Sequence, residues 1–150
     1  MNYWLIVTSP DNFEITKERK FKVQGVKTRH RKKAERMAAG DVLMYYLTKK
    51  AAFAGICQIE SGYFEDHAPI WTSPKKPDEH YPWRVKISPL LIPEDADQIP
   101  AIDLKDNLEY VSRYPAAHWR LAFQGNVHNL PKSDYEVIRN AIESAMTPVT

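Results

Sequence analysis

The run Lys27-Thr28-Arg29-His30-Arg31-Lys32-Lys33 holds five formal positive charges in seven residues and no carboxylate. It lies inside a longer segment, residues 17–36, with ten Lys or Arg against two acids, Glu18 and Glu35, a formal +8. The other 130 residues carry eleven bases and seventeen acids, a formal −6, so the net charge of +2 conceals a basic segment on an acidic background. A localised cationic segment is the electrostatic footprint of a polyanion partner, with phosphate the usual group. Flat aromatic faces complete the chemistry that a nucleotide needs, since a base stacks on rings while cations hold its phosphates. Trp4, Tyr45, Tyr46, Trp71 and Trp83 are the rings in question. Trp4, Trp83 and Trp119 read as core. Trp71 sits in a loop with Pro69, Pro74 and Pro77, where a ring has less reason to be buried.

Other chemistries leave no trace. The glycines stand singly, so no phosphate loop is present. His30, His67, His80, His118 and His128 make no i,i+4 pair for a helical metal site, and Glu65-Asp66-His67 reads as polar loop surface. Cys57 is the only cysteine, which excludes an internal disulfide and a Cys-based zinc site. It lies in Ala54-Gly55-Ile56-Cys57-Gln58-Ile59 and reads as a buried, inert thiol. No Ser-His-Asp or Cys-His constellation is visible, so the expectation is a protein that is not an enzyme and uses neither metal nor cofactor. A reducing cytoplasm is the simplest compartment. Met1–Val7 is apolar but short and lacks a basic start, so it does not read as a signal peptide, and no run is long enough to span a membrane.

The elements that must position these residues fit one domain of 150 residues. Residues 3–8 read as a buried strand, and Ser9-Pro10-Asp11-Asn12 as a turn. Residues 28–39 favour helix, with Thr28 as cap and Gly40 as stop. Strands at 42–47 and 52–59 form a hairpin, and Trp83, Val85 and Ile87 alternate with polar residues in a further strand over 83–88. Asp103 caps a short helix carrying Leu104, Leu108 and Val111. Trp119, Leu121 and Phe123 alternate as a last strand. Ser133 and Glu136 form a capping box for a terminal helix, and residues 147–150 read as a frayed tail. Short, closely spaced strands with added helices imply an α+β fold around a mostly antiparallel, barrel-like sheet.

Asn2-Tyr3-Trp4-Leu5, Gly25-Val26-Lys27-Thr28-Arg29-His30-Arg31, Gly40-Asp41-Val42-Leu43-Met44-Tyr45-Tyr46, Ala54-Gly55-Ile56, Pro69-Ile70-Trp71 and Tyr81-Pro82-Trp83-Arg84-Val85-Lys86-Ile87 resemble, in that order, the EVE domain. EVE domains belong to the PUA-like superfamily, with PUA, ASCH, SRA and YTH domains. The resemblance covers residues 2 to 145 and implies a single PUA-like domain, a small, mostly antiparallel β-barrel flanked by helices. It also implies a pocket between the barrel and the segment leading into the first helix. Relatives in the superfamily recognise modified bases in RNA or DNA.

On that reading Gln24, Gly25 and Val26 form one wall of a base pocket, Thr8 or Ser9 its floor, and Trp71 lies against the base. Lys27, Arg29, His30, Arg31 and Lys32 hold phosphates beside the helix start, whose N–H groups favour anions. The partner is RNA or modified DNA. Many EVE domains carry a tryptophan just before the Gly-Val. Gln24 stands there, offering an amide for a base edge and no stacking face. Two rival readings remain: an ASCH-like enzyme acting on a nucleotide or RNA, with His30 or Glu65 as base, and an interaction domain whose pocket binds nothing.

Overall fold

The computed structural model describes residues 1–146. Its strands are β1 (Tyr3–Thr8), β2 (Val23–Val26), β3 (Val42–Leu47), β4 (Ala52–Ile59), β5 (Phe64–Glu65), β6 (Trp83–Leu91), β7 (Ile99–Pro100) and β8 (Val127–Leu130). They form one sheet in the order β2-β6-β4-β3-β1-β8, with β5 added to β6 and β7 to β4. All pairings are antiparallel except β1 with β3, which run parallel from Tyr3 opposite Val42 to Thr8 opposite Leu47. The strands expected at 3–8, 42–47, 52–59 and 83–88 are all present, the last extended to Leu91. The architecture is the α+β, PUA-like barrel that the resemblance implies.

Both faces of the sheet are buried, which explains the unbroken apolar runs in β1, β3 and β4. Along β1, Trp4 and Ile6 enter one core cluster, whereas Leu5 and Val7 enter another. The first cluster fills the barrel with Leu43, Tyr45, Cys57, Val85 and Ile87, and takes Phe13 from the helix α1 (Pro10–Glu18). The second lies under the helices α4 (Glu109–Ser112) and α5 (Lys132–Met146). Cys57 is fully buried, and burial pushes its thiol up to about 12, which makes it the inert residue expected.

The sheet curls until its edges β2 and β8 meet through side chains. Asn126, just before β8, accepts the Lys27 N–H on its Oδ1 at 2.9 Å and donates its Nδ2 to the Val7 carbonyl at 3.3 Å. Lys33, on the helix α2 (Arg31–Glu35), donates its Nζ to the Val127 carbonyl at 2.8 Å. The seam of the barrel is therefore closed by the side chains of Asn126 and Lys33 rather than by a strand ladder.

Several local expectations are corrected. Residues 9–12 open a helix instead of a turn: Ser9 Oγ accepts the Asn12 N–H at 3.1 Å, Pro10 occupies the first turn, and α1 runs on to Glu18. The helix expected over 28–39 shrinks to a 3-10 turn at Thr28–His30 followed by the five residues of α2. Thr28 does not cap it, because the threonine hydroxyl donates to Glu79 at 2.8 Å. The chain then leaves the helix so that Asp41, buried, can accept the N–H groups of Asn2 and Ala38 and the Trp4 indole. Gly40 adopts the left-handed conformation (φ 93°) that this turn requires.

Gln24-Gly25-Val26 is strand β2, paired with β6. The alternation at Trp119, Leu121 and Phe123 is not a strand: Ala116–Phe123 winds as 3-10 turns, kinked at His118. Its burial pattern shows why, since Leu121 is 41% exposed while the consecutive Ala122 and Phe123 are both buried. The last strand is β8. The short helix α3 (Ala101–Leu104) starts before Asp103, so that residue is not its cap. Instead Asp134, buried in the first turn of α5, caps α4 by accepting the N–H groups of Glu109 and Tyr110 at 2.8 and 2.9 Å. Helix α5 begins at Lys132, so Ser133 falls inside it and the capping box does not form. The tail expected at 147–150 lies outside the described residues.

Candidate functional site

The segment between β4 and β6 is irregular, yet it is pinned at both ends. Arg84, on β6 and 1% exposed, donates to the carbonyls of Tyr81 (3.1 Å), His80 (3.0 Å) and Ala68, and lies 3.4 Å from the Asp66 carboxylate. A buried guanidinium must find such acceptors, so the loop folds around it. On the other side α1 holds the loop: Asn12 and Thr72 exchange two hydrogen bonds at 2.8 and 3.0 Å, and Trp71 donates its indole N–H to Thr16 Oγ1 at 2.8 Å. Trp71 is 4% exposed, with the Arg84 guanidinium 5.3 Å from its ring centre and the Tyr81 ring centre at 6.0 Å in a T-shaped arrangement.

Glu79 joins this loop to the basic segment. Its carboxylate accepts the Thr28 hydroxyl at 2.8 Å, the Thr28 N–H at 3.1 Å and the Tyr81 N–H at 3.0 Å. Burial pulls its carboxyl upward, but the donors from Tyr81, Thr28 and His80 outweigh this and hold it below its ordinary value. Around the clasp opens a cleft of about 550 Å³ lined by Lys27, Thr28, Arg29, Ser73, Lys75, Lys76, Glu79 and Gly125. Four cations thus line a cleft that holds a single carboxylate. Burial first, and then the charges of Arg29, Lys76 and Lys75, hold the Lys27 ammonium below its ordinary value, with Glu79 opposing them. A second hollow of about 420 Å³ adjoins it, lined by Pro69, Trp71, Thr72, Pro74, Pro77 and His80 and sharing Ser73 and Glu79 with the first. A charged cleft therefore opens beside a hollow walled by three prolines and the edge of a buried indole.

Of the residues singled out in the sequence, Lys27 and Arg29 line the cationic cleft and Trp71 lines the adjoining hollow. His30 accepts the Arg29 Nε–H on its Nε2 at 3.2 Å. Burial, then Lys33, Arg29, His128 and Lys27, push its imidazole down to about 4. Arg31 turns away to the Trp83 ring (4.9 Å) and Glu35 (3.2 Å), and Lys32 is exposed on α2. Gln24, Gly25 and Val26 are buried behind the site. The Gln24 amide accepts the Tyr45 hydroxyl and donates to the Gly25 carbonyl, both at 2.8 Å. A Cβ on Gly25 would lie 2.8 Å from Trp71 Cζ3, so the glycine lets the strand pass close behind that ring. Ser9 caps α1, and the Thr8 carbonyl accepts the Thr48 N–H. Glu65 pairs with His67 at 2.7 Å on exposed surface. Among the described residues there is no cluster of three or more His, Cys, Asp or Glu fit for a metal, and no helix is long and apolar enough to cross a membrane.

Ser73, Lys75, Lys76, Glu79 and Gly125 were not foreseen as site residues. Lys75 and Lys76 are the only cations between Pro69 and Pro82, flanked by Pro74 and Pro77, and that local pairing was the available signal.

The sequence model of the EVE domain family matches residues 2–141. A UPF0310 protein of Pyrococcus abyssi is 29% identical over 95% of this chain and 100% of its own length. Among solved structures, a hypothetical protein from Leishmania major superposes with a TM-score of 0.66 at 17% identity, covering 98% of each chain. The YTH domain of the Zygosaccharomyces rouxii MRB1 protein, solved in complex with N6-methyladenosine RNA, superposes with a TM-score of 0.65 at 15% identity, over 93% of this chain and 86% of that one.

Proposed function

This chain belongs to the EVE domain family, and we propose that it is a nucleic-acid-binding module that takes single-stranded RNA across the cationic cleft and holds one base in the hollow beside Trp71. The observation that carries this reading is the convergence of Lys27, Arg29, Lys75 and Lys76 next to a hollow of prolines and indole, with Ser73 and Glu79 common to both. Cations from two separate segments meet there with no carboxylate but Glu79 among the residues that line either space. Phosphates satisfy such a cluster, and a base released from its stack fills an apolar recess of this kind.

The YTH structure in complex with N6-methyladenosine RNA supports the choice of RNA and of a base that carries a methyl group. Pro69, Pro74, Pro77 and Trp71 would favour the extra methyl by removing it from water, at about 0.8 kcal/mol for one carbon. No catalytic step is assigned: His30, held neutral until about pH 4, is a weak base at neutral pH.

Titrating fluorescent single-stranded oligoribonucleotides, with and without one central N6-methyladenosine, tests the reading. Binding that weakens steeply with salt and favours the methylated strand is expected. Equal affinity for both strands removes the modified-base part of the proposal, and no binding at low salt removes the whole of it.

A further inference from the structure

A carboxylate at the centre of a phosphate-binding cleft is a cost, because it repels the ligand that the surrounding cations attract. Glu79 occupies that position. It lines both the cationic cleft and the proline hollow. Its Oε2 accepts the Thr28 hydroxyl at 2.8 Å and the Tyr81 N–H at 3.0 Å. Its Oε1 takes the Thr28 N–H at 3.1 Å, shared with Oε2 at 3.2 Å, and the His80 N–H also favours the ionised carboxylate. Lys27, Arg29, Lys75 and Lys76 all stand on the cleft side, whereas the hollow has no Lys or Arg in its lining and Glu79 as its one carboxylate. An ionised carboxylate accepts hydrogen bonds and cannot donate. At the border between a phosphate site and a base site, it serves to accept from a base and to keep phosphate on the far side.

Resting on the nucleic-acid reading above, we infer that Glu79 is the specificity-determining residue of the hollow, accepting an exocyclic amino N–H of the bound base through Oε1. The hollow then takes bases that carry an amino group, adenine and cytosine among them. A single N-methyl leaves one N–H and is tolerated. Two N-methyls remove the donor and are refused. Uracil presents its one N–H between two carbonyl oxygens, which the carboxylate repels. Discrimination arises because a base without a donor strips water from the hollow side of the Glu79 carboxylate and offers no hydrogen bond in its place.

The test uses oligouridine heptamers whose central residue is adenosine, N6-methyladenosine, N6,N6-dimethyladenosine, cytidine or uridine, titrated against the wild-type protein and Glu79→Gln. Adenosine, N6-methyladenosine and cytidine should bind about tenfold more tightly than uridine and N6,N6-dimethyladenosine, on the order of one charged hydrogen bond. Glu79→Gln should compress that range to within about twofold while the salt dependence persists. Uridine and the dimethylated base fail by different routes, one by electrostatics and one by lacking a donor, so steric bulk alone does not reproduce the ranking. Should Glu79→Gln melt early because the Thr28 clasp is lost, the wild-type ranking decides. Equal wild-type affinity for all five heptamers, or an unchanged ranking in a folded Glu79→Gln, overturns the assignment and leaves the nucleic-acid reading in place. No binding to any heptamer at low salt overturns both.

Discussion

The Gly25 Cα lies so close to the loop that crosses it that a Cβ built there would stand 2.3 Å from the Tyr81 carbonyl oxygen. That oxygen cannot simply retreat, because it also accepts the Arg84 Nε–H at 3.1 Å. The glycine is therefore bound up with how β2 supports the loop that carries Trp71 and Glu79. Gly25→Ala should destabilise the protein by about 1–3 kcal/mol, as other overpacked sites do, and lower the melting temperature by several degrees. Calorimetry checks this. A melting temperature equal to wild type would show that Tyr81 and Arg84 move aside without cost.

Trp71 makes a parallel case with a graded outcome. Its indole is buried between Gly25, Arg84 and Tyr81 and donates to Thr16. Trp71→Ala should cost about 3–5 kcal/mol of folding stability, the usual range for a large aromatic removed from a packed site. Trp71→Phe retains most of the wall and loses the hydrogen bond to Thr16, about 1 kcal/mol. Denaturant unfolding of both variants measures the difference. Near-wild-type stability of Trp71→Ala would mean that the ring is not a wedge between α1 and β6.

These two residues also mark where the sequence was legible and where it was not. β1, β3, β4 and β6 declared themselves because β-branched and aromatic runs buried on both faces leave little choice of structure. Gly25 and Trp71 were noticed for their types, but their partners, the Tyr81 carbonyl and Thr16, lie 56 and 55 residues away and follow no local pattern. The same distance hid Lys75, Lys76 and Glu79, which reach Lys27 and Arg29 only because Arg84 and Asn12 pin the intervening loop. Helix α1 was missed although Ser9-Pro10-Asp11 is a start signal, because the helix buries only Asn12, Phe13 and Thr16 and shows little apolar periodicity. The alternation at 119–123 misled in the opposite sense: at three residues per turn those positions face three ways, and Leu121 is left exposed while Ala122 and Phe123 are buried.

Salt dependence separates cations in the cleft from cations already engaged. Wild-type binding to single strands should follow a log–log slope of about −0.7 per phosphate held. Replacing both Lys75 and Lys76 with Ala should make that slope shallower by about one to one and a half, since both line the cleft and are exposed. Arg31→Ala should leave the slope nearly unchanged, because its guanidinium lies over Trp83 and pairs with Glu35. Its effect should fall on stability, about 0.5–1 kcal/mol for an exposed cation–π contact. A larger slope change for Arg31→Ala than for the lysine pair would move the phosphate track onto α2.

His30 supplies a pH signature with a defined sign. Its imidazole is held at about 4 against an ordinary 6.5, by burial first and then by the charges of Lys33, Arg29, His128 and Lys27. The folded value lies below the unfolded one, so on acidification the unfolded chain takes up the proton first. The stability contributed by the neutral ring is present above about pH 6.5 and is lost as pH falls from there toward 4. His128 is depressed in the same direction by its own burial, so the comparison must be made against His30→Ala, which retains the His128 contribution. A phosphate bound between Lys27 and Arg29 would neutralise part of the field that keeps His30 deprotonated, and its pKa would rise. Binding then takes up a fraction of a proton, and affinity for an oligonucleotide should increase as pH is lowered from 7 to 5. Following the His30 ring proton by NMR from pH 7 down to about 3.5, free and with a bound heptamer, should show a midpoint near 4 that moves upward on binding. In His30→Ala the pH dependence of affinity should flatten. A free-protein midpoint near 6.5, or one that the heptamer leaves in place, would put His30 outside the field of the cleft and the phosphates elsewhere.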